Sequence, residues 1–162
     1  MSSTRTLTVK RVGERDLLIV REFDAPRTLV FEAITTPALI KRWLLGRGWT
    51  MPVCEVDLRP GGKFRYVWRK DGKDMGMSGT FREIVAPERI VDTEIFDEDW
   101  TGGETEVTTT LREANGRTTL SMTVRYASAA ARQAALETGM VDGMSETYDT
   151  LAQLLADGSI TP

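Results

Sequence analysis

The chain begins with two short segments in which apolar and polar residues alternate. Residues 6–12 place Leu7 and Val9 between polar neighbours, and residues 16–23 resume the alternation after a break at Gly13. A period of two is typical of a strand with one buried face. We therefore predict an N-terminal β-hairpin whose first strand spans about residues 6–12.

The period then changes to that of a helix. Asp24 can cap a helix and Pro26 suits its first turn. Apolar residues follow at helical spacing: Leu29, Val30, Ala33 and Ile34. Pro37 restarts a second short helix, which carries Trp43 and ends at Gly46. The pattern predicts two short helices directly after the first strands.

From residue 53 onward the period returns to two, and turn sequences separate the alternating segments. They lie at residues 60–62, 71–72, 86–88 and 115–116. The Asn-Gly pair at 115–116 is the strongest hairpin signal, because a two-residue type I′ turn needs positive φ at both positions. The segments predict an antiparallel meander, which brings the total to six or seven strands.

The last part of the chain has the pattern of a long amphipathic helix. Ser128 can cap a helical region whose start is weakened by Gly139. We expect a break there, then a continuous helix over about residues 140–156 that stops at Gly158. One apolar stripe follows this region: Leu136, Met140, Met144, Tyr148, Leu151 and Leu155.

These elements predict an α+β fold in which a curved antiparallel sheet wraps around the C-terminal helix. Consecutive strands with helices inserted early and at the end do not form a βαβ series. The 162 residues suit a single domain, residues 1–162. A strongly twisted sheet that curls around one helix leaves space in which a ligand can bind.

Strand alternation predicts which residues line that space. Phe64, Tyr66 and Trp68 share one face of their strand, which we expect to be the inner face. Each predicted residue could equally be part of a filled core, but clustered Met and aromatic residues suit adaptable ligand sites. The predicted ligand-binding residues are Trp43, Trp49, Phe64, Tyr66, Trp68, Met77, Phe81, Asp92, Glu94, Phe96, Met122, Met140, Met144 and Tyr148.

Two carboxyl groups interrupt this apolar set. Asp92 and Glu94 share a face with Ile90 and Phe96 if no bulge intervenes. Inward carboxyl groups would have pKa values pushed apart and could act as general acid and base, which makes them the candidate catalytic residues. The simpler interpretation, which we prefer on sequence alone, is a shifted register or an edge strand with both groups in solvent.

Composition excludes many functions. The chain has no histidine, so Ser-His-Asp, Cys-His and His-ligated metal chemistry are absent. Cys54 is the only cysteine and is expected to be a small buried hydrophobe, so neither a disulfide nor a cysteine zinc site can form. We expect no metal and no cofactor. Trp43, Trp49 and Trp100 lie at predicted helix ends or in loops, where they seal the core or border an opening.

Charge and hydropathy describe a soluble protein without a nucleic-acid partner. The net charge of −3 comes from interspersed acidic and basic residues, which leave no basic surface for a polyanion. No apolar run approaches the roughly 18 residues of a membrane helix, and the polar residues 1–5 do not resemble a targeting signal. The expected location is the cytoplasm.

Several motifs resemble one family. The chain carries FDAPR at residues 23–27, DLRPGG at 57–62, GTFREI at 79–84 and PERI at 87–90. Over about residues 23–156 it resembles the Hsp90 ATPase activator homologue (AHSA1-like) family of the START-like (SRPBCC) superfamily. The resemblance implies a helix-grip fold with a deep cavity. The chain differs from the usual family sequence at three positions. Leu44 and Met144 stand where relatives usually carry Trp, and Asp92 stands where many carry an aromatic residue.

Three functions follow as hypotheses. The first is noncatalytic binding of a hydrophobic or aromatic small molecule between sheet and helix. The second is an enzyme of the cyclase, dehydratase or hydrolase type that uses Asp92 and Glu94, with Tyr66 or Tyr148, for proton transfer. The third, implied by the resemblance and ranked low, is regulation of an Hsp90-type chaperone. The N-terminal hairpin edge could pair two chains into a homodimer.

Overall fold

The computed structural model describes residues 6–98 and 102–160, so the predicted position of Trp100 lies outside the described residues. In chain order the elements are β1 (Thr8–Val12), β2 (Asp16–Phe23), α1 (Arg27–Thr35), α2 (Pro37–Trp43), β3 (Thr50–Val56), β4 (Lys63–Lys70), β5 (Lys73–Val85), β6 (Arg89–Phe96), β7 (Thr105–Ala114), β8 (Arg117–Arg125), α3 (Ala129–Leu136) and α4 (Met140–Ala156).

The strands form one antiparallel sheet that does not close. Its order is β1-β2-β8-β7-β6-β5-β4-β3, with β1 and β3 at the edges. The α+β class and the curved sheet around the C-terminal helix are confirmed. The described residues contain eight strands rather than the six or seven predicted. Pro52 lies in β3, which is an edge strand with a register shift between Thr50 and Val53, where a residue without an N–H is tolerated.

The predicted Asn-Gly hairpin is confirmed by its backbone angles. Asn115 has φ 55° and Gly116 has φ 76°, and the turn joins Ala114 to Arg117. The pair turns the chain within two residues because both backbones occupy the left-handed region. The turn fixes the register between β7 and β8, and that register decides which residues of both strands face α4.

Of the two side-chain helix caps predicted from the sequence, one forms and the other does not. Ser128 caps α3, since its Oγ accepts a hydrogen bond from the Ala131 N–H at 3.0 Å. The predicted cap at Asp24 is wrong. The N-cap of α1 is Pro26, which has no side-chain acceptor, while Asp24 forms an ion pair with Arg117 at 3.2 Å. Asp24 therefore supports the hairpin turn rather than the helix.

One buried cation helps to hold α4 against the sheet. Arg21 of β2 is only 5% exposed and forms an ion pair with Asp149 of α4. Its guanidinium also lies 5.6 Å from the centre of the Phe23 ring, a favourable cation–π arrangement. The pairing helps to keep α4 against the sheet, because a displaced helix would take Asp149 away from a buried guanidinium.

The described helices include none that combines the length and the apolar character needed to span a bilayer. The predicted break at Gly139 is confirmed: this residue, with φ 84°, separates α3 from α4. The long helix then runs from Met140 to Ala156, as predicted. Its buried residues Thr147, Tyr148, Leu151 and Leu155 form the face that packs towards the sheet.

Candidate functional site: two adjoining cavities between sheet and helix

An inner cavity of about 250 Å³ lies between the concave face of the sheet and α4. All but two of the predicted ligand-binding residues line it. They are Trp43, Phe64, Tyr66, Trp68, Met77, Phe81, Asp92, Glu94, Phe96, Met122, Met144 and Tyr148. The structure therefore brings together on one surface residues that lie far apart in the sequence.

The other two predicted residues, Trp49 and Met140, line an outer cavity of about 620 Å³ that is more open to solvent. The two cavities adjoin, since they share five lining residues: Leu44, Trp68, Phe96, Met144 and Thr147. On the rim of the outer cavity, the Arg47 backbone N–H donates a hydrogen bond to Glu146 Oε2 of α4 at 2.8 Å. The outer cavity therefore lies beside the inner cavity and is the more open of the two to solvent.

Three aromatic side chains of β4 form one wall of the inner cavity. The ring centres of Phe64 and Tyr66 are 5.3 Å apart, and those of Tyr66 and Trp68 are 5.8 Å apart. Phe64 also lies 5.1 Å from Phe81 of β5. Phe64, Tyr66 and Trp68 occupy alternate positions of β4, as the period of two in the sequence predicts.

Backbone acceptors fix both indole rings of the inner cavity. Trp68 donates its indole N–H to the Leu44 carbonyl at 2.8 Å, and Trp43 donates its own to the Ala33 carbonyl at 2.9 Å. Trp43 additionally meets Tyr148 edge to face at 5.3 Å. Because both N–H groups are already bonded, these rings offer a ligand apolar surface rather than hydrogen bonds.

Some lining residues were not predicted. They come from α1, α2 and the residue after it, β3, β7 and α4: Ile34, Thr35, Ile40, Leu44, Val56, Val107, Thr109 and Thr147. The alternation of Val107, Thr109 and Leu111 along β7 would have identified part of this set, but threonine gives a weak signal for burial. Val124 and Tyr126, further along β8 and just after it, pack instead in a second apolar cluster against Ala131 and Ala135 of α3.

Asp92 and Glu94 face inward, and the exposed-edge interpretation preferred from the sequence is wrong. Strand β6 lies between β5 and β7 inside the sheet, and it places both residues on the wall of the inner cavity. The register shift in this region falls on β5, between Phe81 and Glu83. Because β6 is uninterrupted, its alternation is preserved and the two carboxyl groups remain on the same face.

The two carboxyl groups lie together in an apolar setting. Asp92 is 8% exposed, and its Oδ1 has no hydrogen-bond partner within the described residues. The two side chains are hydrogen-bonded to each other. Burial raises the pKa of both carboxyl groups, and the negative charge of Glu94 raises that of Asp92 further. The pair therefore retains a proton at pH values where exposed carboxyl groups have lost theirs.

Other groups that titrate near the pair are also acids. Burial raises the pKa of the Tyr66 and Tyr148 hydroxyls, and acidic neighbours raise it further: Cys54 and then Glu94 for Tyr66, and Glu94 for Tyr148. Of the described residues that line the inner cavity, none is Lys or Arg. Residues 6–98 and 102–160 contain no group of three or more Cys, Asp and Glu side chains placed to hold a metal ion.

Cys54 takes no part in either cavity. It lies on the edge strand β3 opposite Tyr66 and is half-buried, whereas a small buried hydrophobe was expected. Burial raises the pKa of its thiol. A protonated thiol is a poor nucleophile, so the side chain is suited to packing rather than to covalent chemistry.

Comparison with known proteins identifies a family and solved structures with the same fold. The chain matches the family described as Activator of Hsp90 ATPase homolog 1-like protein over residues 24–156. The comparison with curated proteins gave no match. A crystal structure of a Rhodobacter sphaeroides protein is 35% identical with a TM-score of 0.89, covering 94% of this chain and 99% of that one.

Two further solved structures are similar in fold and length. A Nitrosomonas europaea protein is 26% identical with a TM-score of 0.79, covering 91% of this chain and 97% of that one. A Mycobacterium smegmatis protein is 25% identical with a TM-score of 0.82, covering 92% and 96%. The chain therefore belongs to the family of Activator of Hsp90 ATPase homolog 1-like proteins and has its helix-grip, START-like fold.

Proposed function

We propose that this protein binds an apolar small molecule containing an aromatic or alicyclic ring system in the inner cavity. The observation that carries the proposal is the ring-lined space between β4 and α4, which the core leaves unfilled. Apolar cavities with a few polar groups are the usual form of small-molecule sites. A volume of about 250 Å³ is suited to one or two fused rings, with substituents extending into the outer cavity.

The junction between the cavities supports the same function. Leu44 and Met144 line both cavities and stand where the resemblance leads us to expect larger tryptophan side chains. Side chains smaller than Trp at these two positions leave more room where the two cavities meet. Met144 is also flexible and polarisable, so it can adapt to ligands of different shape.

Replacing Met144 with Trp is expected to fill the junction and to weaken binding about tenfold or more. The probe is 2-naphthylmethanol, a neutral bicyclic molecule, with binding measured by isothermal titration calorimetry and by ligand-observed NMR. The matched control is Gln153→Trp, which adds the same ring at an exposed position of α4 that lines neither cavity. Equal affinity in wild-type protein, variant and control would show that the probe binds elsewhere, and no binding to the wild type would contradict the proposal for this ring size.

The carboxyl pair favours a second candidate, an enzyme that transfers a proton within the cavity. A carboxylate of raised pKa beside a carboxylic acid is the arrangement used for general base and acid catalysis. The expected reaction is enolisation, in which the carboxylate takes a proton from a carbon next to a carbonyl while the neighbouring acid donates a hydrogen bond to the carbonyl oxygen.

Exchange of carbon-bound hydrogen tests this candidate without knowledge of the natural substrate. In D₂O, 2-tetralone should gain deuterium next to its carbonyl faster with the protein than with buffer alone, as followed by proton NMR. The Asp92→Asn variant should lose the excess rate, while the exposed Glu106→Gln variant should keep it. An excess rate that survives in Asp92→Asn, or none in the wild type, argues against proton transfer by this pair.

A further inference from the structure

The polar end of the inner cavity has an acceptor without a donor. Asp92 Oδ1 is buried and has no hydrogen-bond partner within the described residues, although its carboxyl group lines a cavity large enough to admit a ligand. Its hydrogen-bonded neighbour Glu94 uses part of its own capacity on Asp92. A buried acceptor left unpaired costs stability, so this atom is a position where a ligand donor would gain more than its usual hydrogen bond.

The charge around that acceptor has one sign. Two titratable groups line the cavity beside the pair, Tyr66 from β4 and Tyr148 from α4, and the charge of Glu94 also raises the pKa of Tyr126 in the second apolar cluster; each of the three is an acid. Strands β5, β7 and β8 present the uncharged Met77, Phe81, Val107, Thr109, Leu120 and Met122. No Lys or Arg lines the inner cavity among the described residues, so an anionic ligand would be buried next to the pair without a compensating charge.

We infer that the ligand of the inner cavity carries a protonated amine on its apolar ring system, and that Asp92 and Glu94 together bind this amine. The inference rests on the proposed function and specifies the ligand class. An ammonium group supplies N–H donors for Asp92 Oδ1 and for Glu94, and its charge compensates that of the pair. Tyr66 and Trp68 in the aromatic wall add favourable ring surface for a cation.

Binding of a cation should release a proton from the pair. The unliganded pair retains a proton because two buried carboxylates so close together repel each other. An ammonium placed between or beside them favours ionisation of both, so the retained proton leaves to the buffer as the amine enters. A neutral ligand has no such effect. Proton release is therefore a sign of amine binding at this pair that ordinary apolar binding does not produce.

Four compounds with the same naphthalene ring separate the contributions. They are 2-naphthylmethylamine, 2-naphthylmethanol, 2-methylnaphthalene and 2-naphthoate, each titrated at neutral pH in two buffers of different ionisation enthalpy. We expect the amine to bind at least about tenfold more tightly than the methyl compound, with proton release, and the carboxylate to bind most weakly.

Variants assign the selectivity to the pair. Asp92→Asn combined with Glu94→Gln should lower the ratio of amine to methyl affinity about tenfold and abolish proton release, whereas Glu106→Gln should retain both. A ratio that survives in the double variant, or equal binding of amine and methyl compound, overturns the inference and leaves the proposed function standing. If none of the four compounds binds the wild-type protein, the inference and the proposed function both fail for this ring size.

Discussion

The Gly79→Ala variant should lose more than about 3 kcal/mol of unfolding free energy. A Cβ added at Gly79 would lie 2.2 Å from Cζ of Phe64 and 2.2 Å from the Thr93 carbonyl oxygen. The ring could turn away only into the cavity. The carbonyl belongs to the neighbouring strand β6, so it could move only if the sheet itself were distorted.

The control for this variant is Gly143→Ala, the same substitution in helix α4. A Cβ at Gly143 would meet nothing within 4 Å, and alanine is the better helix former. We expect this variant to gain about 0.5–1 kcal/mol. Urea unfolding followed by circular dichroism measures both. Similar stabilities for the two variants would contradict the close packing of Phe64 and Thr93 against Gly79.

Asp92→Asn should stabilise the protein at alkaline pH and have little effect near pH 4. The folded-state pKa values of Asp92 and Glu94 are raised above the ordinary unfolded values of about 4. The folded protein therefore binds more protons than the unfolded chain once the pH exceeds about 4. Stability associated with the protonated pair is complete below that pH and is lost as the pH rises through the folded-state pKa values.

The amide introduced by Asp92→Asn does not titrate, so this variant does not lose stability through ionisation of the side chain as the pH rises. The introduced amide group can also donate an N–H to Glu94, which replaces the hydrogen bond of the carboxyl pair. We expect a gain on the order of 2 kcal/mol at about pH 8, shrinking towards zero near pH 4, in urea or thermal unfolding at each pH. The exposed Glu106→Gln should change stability by less than about 0.5 kcal/mol throughout.

The reverse outcome would be equally informative. If Asp92→Asn is less stable than the wild type at alkaline pH, the carboxylate has a compensating partner in solution that the folded chain alone does not supply. If the difference between the two proteins does not vary with pH, the carboxyl pair is ionised in the folded state and the cavity is wetter than its lining indicates.

The spacing of apolar residues along the sequence was sufficient to predict the sheet, the long helix and most of the cavity wall. Phe64, Tyr66 and Trp68 are two positions apart on one strand, and the stripe through Met144 and Tyr148 has helical spacing. These are local properties of the chain. The Asn-Gly turn is local as well, because its backbone angles depend on the two residues themselves.

Other features depend on how strands pair, and sequence could not decide them. Asp92 and Glu94 have the same spacing whether β6 is a solvated edge or an interior strand, so only the pairing with β5 and β7 distinguishes a cavity pair from surface charges. Asp24 is a residue type that often caps helices, but its carboxylate pairs with Arg117, which is distant in the sequence, and the N-cap of α1 is Pro26. Thr109 is a polar residue that is buried in the fold, and its residue type alone does not predict that burial.

The contact between Arg47 and Glu146 has a consequence for how long a bound molecule stays. It is a single exposed hydrogen bond that fastens the segment between α2 and β3 to the last helix, and a bond of this kind contributes about 1 kcal/mol. We therefore expect the contact between this rim and α4 to open more readily than the buried core, while the Trp68–Leu44 hydrogen bond keeps the start of the segment on the sheet. We expect the residence time of a bound molecule to depend on how often the hydrogen bond between Arg47 and Glu146 breaks. A substitution at this contact should then change the dissociation rate without changing the residues that line the inner cavity.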